Sequence, residues 1–251
     1  MTLRLERIER HPIKSHGRES LGSVVLTEGE PLPFDRLWAV AHDAARLPEG
    51  AVWAPSVNFS IGTRAPGLMG IDARLDEATR TVTLTHPDRP ALTFRPDDPA
   101  QQRDFLDWVL PLCPPERAQP ARVVTLPVRG YTDTDYPSVS ILNLASNAAL
   151  SAATGMDLSP RRWRGNLWLS GGIAWEEESW IGKTLSIGDV RLEIVEPIKR
   201  CKATTANPET GKVDADTLQA LRATRGEQWM GVYARVVAGG TVLTGDTAVL
   251  S

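Results

Sequence analysis

The sequence contains no apolar run that approaches the ~20 residues needed to span a bilayer as a helix. Its first ten residues alternate leucine with charged side chains and lack the apolar centre of a signal peptide. These two absences predict a cytoplasmic protein without a membrane segment. The net charge is only −3, so bulk electrostatics give no reason to expect nucleic acid as a partner.

Cysteine is scarce, with only Cys113 and Cys201 among the 251 residues. Two thiols are too few for an all-cysteine zinc site, and they cannot hold an iron–sulfur cluster unaided. The cytoplasmic prediction argues against a disulfide between them. Redox chemistry in this chain would therefore need a bound cofactor and electrons that arrive from another protein.

Several catalytic motifs are also missing. The sequence has no GxxxxGK(S/T) phosphate loop, no GxGxxG after a strand and no GxSxG. The four histidines lie in the first half and lack the spacing of a zinc enzyme. The sequence thus offers no motif for nucleotide phosphates, dinucleotides, serine hydrolysis or catalytic zinc.

Most of the chain consists of short alternating segments separated by turns. Residues 71–75 and 82–84 alternate apolar and polar side chains around a turn at 76–79, which predicts a β-hairpin. The pattern predicts a mainly β protein with a few helices, in the α+β class.

Three helices are expected from their end signals. The first begins after Asp98 and the second covers about Asn143 to 154, ended by Gly155 in a left-handed C-cap. The third begins at Asp214 as N-cap and ends near Gly226. Each carries apolar residues that would pack on the neighbouring strands.

The segment 113–120 has three prolines within eight residues and is the best candidate for a linker. It predicts a β-rich N-terminal domain over 1–112 and a β-dominated C-terminal domain over 121–251.

The most informative stretch surrounds Cys201. It follows an apolar strand at 190–195 and precedes a turn, so the cysteine is expected near a strand end. The cations Lys199, Arg200 and Lys202 favour a thiolate, which is the form that attacks or binds a soft metal. The alternative is a buried structural cysteine with a basic flank that has arisen by chance.

A second stretch at 160–169 is rich in arginine. Taken as a strand, it places Arg162, Arg164 and Asn166 on one face. Arginine offers paired donors in a fixed fork, which suits a phosphate or a polar heterocycle. The alternative is a solvated edge strand.

A third stretch places Lys14 and Ser15 between Pro12, which ends a strand, and Gly17, which permits a turn. Both side chains would then donate from a loop tip to an anion. The alternative is an exposed pair that meets only water.

Five motifs in the second half share an order and a spacing. They are Arg-Gly-Asn at 164–166, Trp-Ile-Gly-Lys-Thr-Leu-Ser-Ile-Gly-Asp at 180–189, Arg-Cys-Lys-Ala-Thr-Thr at 200–205, Asn-Pro-Glu-Thr-Gly at 207–211 and Gly-Asp at 245–246. In this arrangement the chain resembles the MOSC family, named after the C-terminal part of molybdenum cofactor sulfurase.

The first half resembles the β-barrel domain that often precedes MOSC, through Pro-Ile-Lys-Ser at 12–15 and Asp-Arg at 35–36. The resemblance implies a MOSC-type β-barrel preceded by a smaller barrel-like domain, with a cofactor cleft between them. Proteins with both parts are similar to the mitochondrial amidoxime-reducing component and its bacterial relatives.

For the site, the resemblance implies that Cys201 is the catalytic residue and the protein ligand of molybdenum in a molybdopterin cofactor. The positions that would bind the pterin and its phosphate are Lys14, Ser15, Arg36, Ser138, Arg164, Asn166 and Arg200.

The implied function is a molybdenum-dependent oxidoreductase. It would reduce small N-hydroxylated compounds with electrons from a separate flavin or iron–sulfur protein. Two alternatives remain: a sulfur carrier or cofactor-handling protein whose Cys201 holds a persulfide, and a binding module that has lost its cofactor. Three positions depart from the family: Ile198-Lys199 stand where Pro-Cys or Cys-Ser is frequent, and Gly165 replaces a frequent proline.

Overall fold

The first strand of the chain belongs to a barrel that is built mostly from the second half. The structure is a computed structural model that describes residues 2–48, 50–51, 53–126 and 129–251. The strands of the described residues, in chain order, are β1 (Leu3–Arg10), β2 (Glu19–Leu21), β3 (Ser23–Leu26), β4 (Trp38–His42), β5 (Asp72–Asp76), β6 (Thr81–His86), β7 (Arg89–Phe94), β8 (Pro120–Thr125), β9 (Val139–Asn143), β10 (Leu167–Ser170), β11 (Thr184–Ile187), β12 (Val190–Lys199), β13 (Trp229–Ala238), β14 (Gly240–Leu243) and β15 (Thr247–Leu250). The helices are α1 (Pro99–Val109), α2 (Leu144–Thr154) and α3 (Thr217–Arg225). The mainly β prediction with a few helices is confirmed.

Seven strands close the barrel in the order β1-β10-β9-β13-β12-β11-β15, and β15 returns to β1. β9 and β10 run parallel, whereas the other neighbours run antiparallel. Alternate side chains point inward along each strand and form the core, with Leu5, Ile8, Ile141 and Leu192 fully buried. Closure through β1 ties the beginning of the chain to its second half.

Most of the remaining first half packs around its own core, whereas β3 pairs with β14 and buries Val24 and Leu26 in the barrel core. β5, β6 and β7 form an antiparallel sheet, β4 pairs with β8, and α1 lies against β7 and β8. Trp38, Phe94, Phe105 and Cys113 are buried in this core. Because β8 follows the proposed linker at 113–120 yet pairs within the first half, that domain boundary stays a prediction.

Two of the three predicted helices have the expected ends. The Asp98 side chain accepts a hydrogen bond from the backbone N–H of Ala100 and caps α1. Asn143 caps α2 in the same way through Ala145, and Gly155 ends that helix with a φ of 66°. The predicted hairpin is also present as β5 and β6.

The third helix begins later than predicted. Asp216, not Asp214, is the N-cap of α3, and its carboxylate accepts from the backbone N–H of Gln219 at 2.9 Å. The carboxylate of Asp214 accepts instead from Arg162 and Asn207, each at 2.8 Å. The Asp214 side chain, which the sequence predicted as the cap, therefore forms a tertiary ion pair with Arg162 instead.

The arginine-rich stretch at 160–169 is not one continuous strand. Pro160–Trp163 form a 3-10 turn, and Arg164 follows in the left-handed region before β10 begins. The turn is held because Trp163 is buried and its indole N–H donates to Asn147 Oδ1 at 2.6 Å. The prediction of one shared strand face is therefore wrong for Arg162, Arg164 and Asn166.

Among the residues described, no helix is long and apolar enough to cross a membrane.

Candidate functional site

A cavity of about 420 Å³ lies between the barrel and the rest of the first half. Strand ends and loops from both parts of the chain line it. Six of the residues selected from sequence are among its lining residues: Lys14, Ser15, Arg36, Arg164, Arg200 and Cys201. The structure thus brings together side chains that lie up to 187 positions apart in the sequence.

Backbone strain is concentrated around this cavity. Six non-glycine residues of the described chain have a positive φ, and three of them line the cavity: Ser15 at 62°, Arg36 at 53° and Arg164 at 50°. A side chain in this region costs about 1 kcal/mol or more and persists only where its surroundings hold it. Such strain is common at ligand sites, which supports a functional role for these positions.

Arg36 is held by its neighbours. Its guanidinium pairs with the carboxylate of Asp35 and donates to the backbone carbonyl of Arg164 at 3.1 Å. Asp35 also accepts from the backbone N–H of His11 at 2.7 Å. Burial alone would raise the pKa of Asp35, but Arg36 and His11 outweigh it and hold that pKa below its usual value. Asp35 therefore stays ionised and keeps Arg36 in place.

Arg164 is buried with its hydrogen-bonding capacity incompletely used. One terminal nitrogen, Nη2, donates to the carbonyl of Gly17 at 3.1 Å. Within the described residues the other, Nη1, is buried without a partner. Burial, and then repulsion from Arg36 and Arg18, lowers the pKa of Arg164 to about 9. An unpaired buried guanidinium N–H is costly, and it can donate a hydrogen bond to an anionic ligand.

Lys14 forms an ion pair that sequence reasoning missed. Its Nζ donates to Asp133 Oδ1 at 2.5 Å and to the Tyr131 carbonyl at 2.9 Å. Burial lowers the pKa of Lys14 although Asp133 opposes the shift. Burial would raise the pKa of Asp133, yet Lys14 and Arg36 hold it below its usual value. Asp133 lines the cavity as well, and no local sequence signal marks its pairing with Lys14, which lies 119 positions away.

Cys201 lies just beyond β12, as predicted, and begins the 3-10 turn Lys202–Thr205. It is exposed and lines the cavity, so it is not a buried structural cysteine. The hydroxyl of Thr63, from the first half, donates to its Sγ at 3.1 Å. Cys113 differs because it is buried, and burial raises the pKa of its thiol to about 11.

Arg200 holds the loop that carries the cysteine. Its guanidinium donates to the carbonyl of Trp163 at 2.8 Å and, through Nε, to that of Met230 at 2.8 Å. Burial lowers the pKa of Arg200 to about 10, while Tyr233 and Cys201 act in the opposite direction. These carbonyl contacts anchor the neighbouring Cys201 to the barrel.

Ser138 and Asn166 lie outside the set of residues that line the cavity. Ser138 accepts from the hydroxyl of Thr134 at 2.8 Å. Asn166 Oδ1 accepts from the Ser140 hydroxyl at 2.8 Å, and its amide nitrogen donates to the carbonyl of Glu9 at 3.2 Å. Ser140 lines the cavity, so the role left for Asn166 here is to orient that serine.

The described residues contain no group of three or more His, Cys, Asp or Glu side chains able to hold a metal ion. A metal at this site would therefore need most of its ligands from a cofactor. Cys201 remains the soft ligand that the cavity offers.

Two family models match the chain. The MOSC N-terminal beta barrel domain matches residues 2–110, and the MOSC domain matches residues 131–249.

Individual relatives match only part of the chain. Mitochondrial amidoxime reducing component 2 from Rattus norvegicus is 35% identical over 99 residues, which cover 36% of this chain and 27% of that protein. Molybdenum cofactor sulfurase from Drosophila melanogaster is 31% identical over 94 residues, which cover 37% of this chain and 12% of that protein. The matched stretch thus spans 27% or less of either relative.

Solved structures align as well. The YUAD protein from Bacillus subtilis aligns with a TM-score of 0.47 and 12% identity, over 99% of this chain and 94% of that chain. YiiM from Escherichia coli aligns with a TM-score of 0.34 and 17% identity, over 45% of this chain and 53% of that chain.

Proposed function

Since the chain belongs to the MOSC family, with a MOSC N-terminal beta barrel domain before the MOSC domain, we propose that it binds a molybdenum cofactor in its cavity. The Sγ atom of Cys201 would be the protein ligand of the metal. The relatives named molybdenum cofactor sulfurase and amidoxime reducing component support this assignment.

One observation carries the proposal: an exposed cysteine sulfur and an unpaired buried arginine nitrogen line the same cavity. Cys201 offers a soft thiolate, and Arg164 Nη1 offers a donor without a partner among the described residues. A molybdopterin combines the two complementary groups, a soft metal centre and a phosphate. A volume of about 420 Å³ lies within the usual range for cofactor sites, about 300–1,000 Å³.

The residues at the buried end would hold the pterin and its phosphate. Arg164 would donate to the phosphate, and Lys14 and Ser15 would present donors from their turn. Arg36 stays fixed by Asp35 and adds positive potential. Ser138 and Asn166 would act on the cofactor only through the residues that they orient.

The proposed activity is the reduction of small N-hydroxylated compounds by an oxidoreductase. When bound, the molybdenum centre supplies a two-electron couple for this reaction. The chain's own part is to hold the pterin, supply the thiolate and admit the substrate. With two cysteines in the sequence, the electrons would come from a separate flavin or iron–sulfur protein.

A sulfur carrier or cofactor-handling protein is the second candidate. Its support is the exposed sulfur of Cys201 together with the relative named molybdenum cofactor sulfurase. In this case Cys201 would hold a persulfide and pass sulfur on by thiol exchange.

The test combines metal analysis with X-ray absorption at the molybdenum edge, on the full chain produced with molybdate. We expect stoichiometric molybdenum in the unmodified protein and in Cys113→Ala, which removes the buried thiol. In Cys201→Ser we expect one sulfur ligand fewer around the metal. An unchanged sulfur count in Cys201→Ser would contradict the ligand assignment.

The same samples separate the two candidates. Reduction of an amidoxime by the metal-loaded protein with an artificial reductant supports the oxidoreductase. Sulfane sulfur on Cys201 in protein without molybdenum supports the carrier and contradicts the first proposal.

A further inference from the structure

A tight turn in the first half presents Thr63 to the cavity. The backbone N–H groups of Arg64 and Ala65 both donate to the carbonyl of Ile61 at 3.0 Å. These two bonds fix the backbone around Thr63, whose side chain lines the cavity together with Ile61 and Gly62. The hydroxyl is thus held by a defined turn.

Gly62 lets this turn approach the cysteine loop. A Cβ atom at position 62 would lie 2.6 Å from Met69 Sδ and 3.2 Å from the Cβ of Ala203. Ala203 is two residues beyond Cys201 and belongs to the turn that follows it. A larger residue at 62 would displace the Met69 side chain and crowd Ala203, so glycine permits the close approach of the Thr63 turn to the cysteine loop.

The contact itself is direct. Thr63 Oγ1 donates to Cys201 Sγ at 3.1 Å. A thiolate keeps lone pairs when it binds a metal, so it still accepts such a bond. Hydrogen bonds to ligating sulfurs orient them and raise the reduction potential of a metal centre.

We propose that Thr63 is a positioning residue for Cys201, which orients the sulfur in the cavity and adjusts its donor strength toward the metal. This inference rests on the proposed function for its effect on the metal. It also gives the first half a direct part in the ligand environment, beyond enclosing the pterin.

The first arm of the test uses the metal-loaded protein. Thr63→Val removes the hydroxyl at nearly constant shape, so molybdenum content should stay the same while the midpoint potential becomes more negative. Thr63→Ser should restore the potential. Thr205→Val is the matched control, because the Thr205 hydroxyl bonds to the carbonyl of Lys202 rather than to sulfur.

The second arm uses cofactor-free protein and a double-mutant cycle of Thr63→Val and Cys201→Ala. A net hydrogen bond is worth about 0.5–1.5 kcal/mol, so the two changes should couple by roughly two- to tenfold in the unfolding equilibrium constant. If the two substitutions change the free energy of unfolding additively, the contact between Thr63 and Cys201 is contradicted.

The outcomes separate this inference from the proposed function. Unmodified protein without molybdenum would contradict the function, and the cycle would still decide whether Thr63 holds the sulfur. Normal molybdenum content with an unchanged potential in Thr63→Val would overturn the positioning role alone.

Discussion

The two ends of the cavity differ in burial, charge and backbone conformation. The floor, formed by Lys14, Arg36 and Arg164, holds buried charges that are fixed by ion pairs or carbonyls. The mouth, formed by Thr63, Lys199 and Cys201, has no left-handed backbone conformation among these three residues. Lys199 and Cys201 are exposed there.

This difference indicates that unfavourable contributions to the folding free energy are concentrated at the floor of the cavity. The strained backbone and the desolvated cations at the floor are unfavourable without a ligand, and a bound anion offsets the cost of the desolvated cations. The residues at the mouth contribute little backbone strain and little desolvated charge. We infer that the floor fixes the cofactor and that the mouth determines what meets it.

The largest effect is expected from Arg164→Met. Charge-assisted hydrogen bonds are worth about 1.5–3 kcal/mol, so cofactor affinity should fall on the order of tenfold to a hundredfold. The cofactor-free variant should be as stable as the unmodified protein or more stable, because an unpaired buried charge is removed. Released pterin fluorescence measures the first effect and thermal unfolding the second.

Arg161→Met is the matched control for this prediction. Arg161 lies three residues before Arg164 but pairs with Asp72 and is not among the residues that line the cavity. Equal pterin loss in both variants would show that general charge, not the floor, binds the cofactor.

A smaller effect is expected from acidic pH, which should lower the free energy of unfolding. Burial lowers the pKa of His11 to about 3 and that of His16 to about 4. Both histidines are neutral when folded, so the unfolded chain binds more protons below pH 6.5 and the free energy of unfolding falls from there toward pH 3. For His16 alone the full loss is on the order of 3 kcal/mol.

His16→Asn isolates this contribution. His16 Nδ1 bonds to the carbonyl of Lys14 at 2.7 Å, and an asparagine amide donates from a similar position without taking up a proton. Denaturant unfolding at pH 7 and pH 4.5 should show a shallower acid loss in the variant. Identical pH dependence in both proteins would contradict the assignment.

The smallest effect is expected at the mouth. Lys199 lines the cavity, whereas Lys202 is not among the lining residues, and both are exposed. Exposed charges contribute about 0.2–1 kcal/mol, so Lys199→Met should weaken binding of a carboxylate-bearing amidoxime by up to about fivefold, with little change for its uncharged analogue. Isothermal titration of Lys202→Met should show no change, and an equal loss there would assign the effect to net charge.

Local signals predicted some of the site correctly. The end of an apolar strand predicts Cys201 beside a loop, and Asp98 predicts the start of α1, because a helix start depends on a few adjacent residues. Arg36 rests on the resemblance alone, whereas Ser15 also follows from the turn signals of Pro12 and Gly17. Their left-handed backbone has no simple sequence signal.

Tertiary contacts account for what was missed. Asp133 and Thr63 reach their partners across 119 and 138 positions, respectively, and no local pattern encodes such a pairing. The strand prediction at 160–169 failed because Pro160 begins a 3-10 turn and Arg164 adopts a left-handed conformation, which the alternation of polar residues does not reveal.

The most direct measurement is a crystal structure of the cofactor-loaded protein, with anomalous diffraction data collected at the molybdenum edge. We predict one anomalous peak within bonding distance of Cys201 Sγ and phosphate density within hydrogen-bond distance of Arg164 Nη1. A peak remote from Cys201, or a pterin whose phosphate lies away from Arg164, would contradict a cofactor site built from the floor and the mouth together.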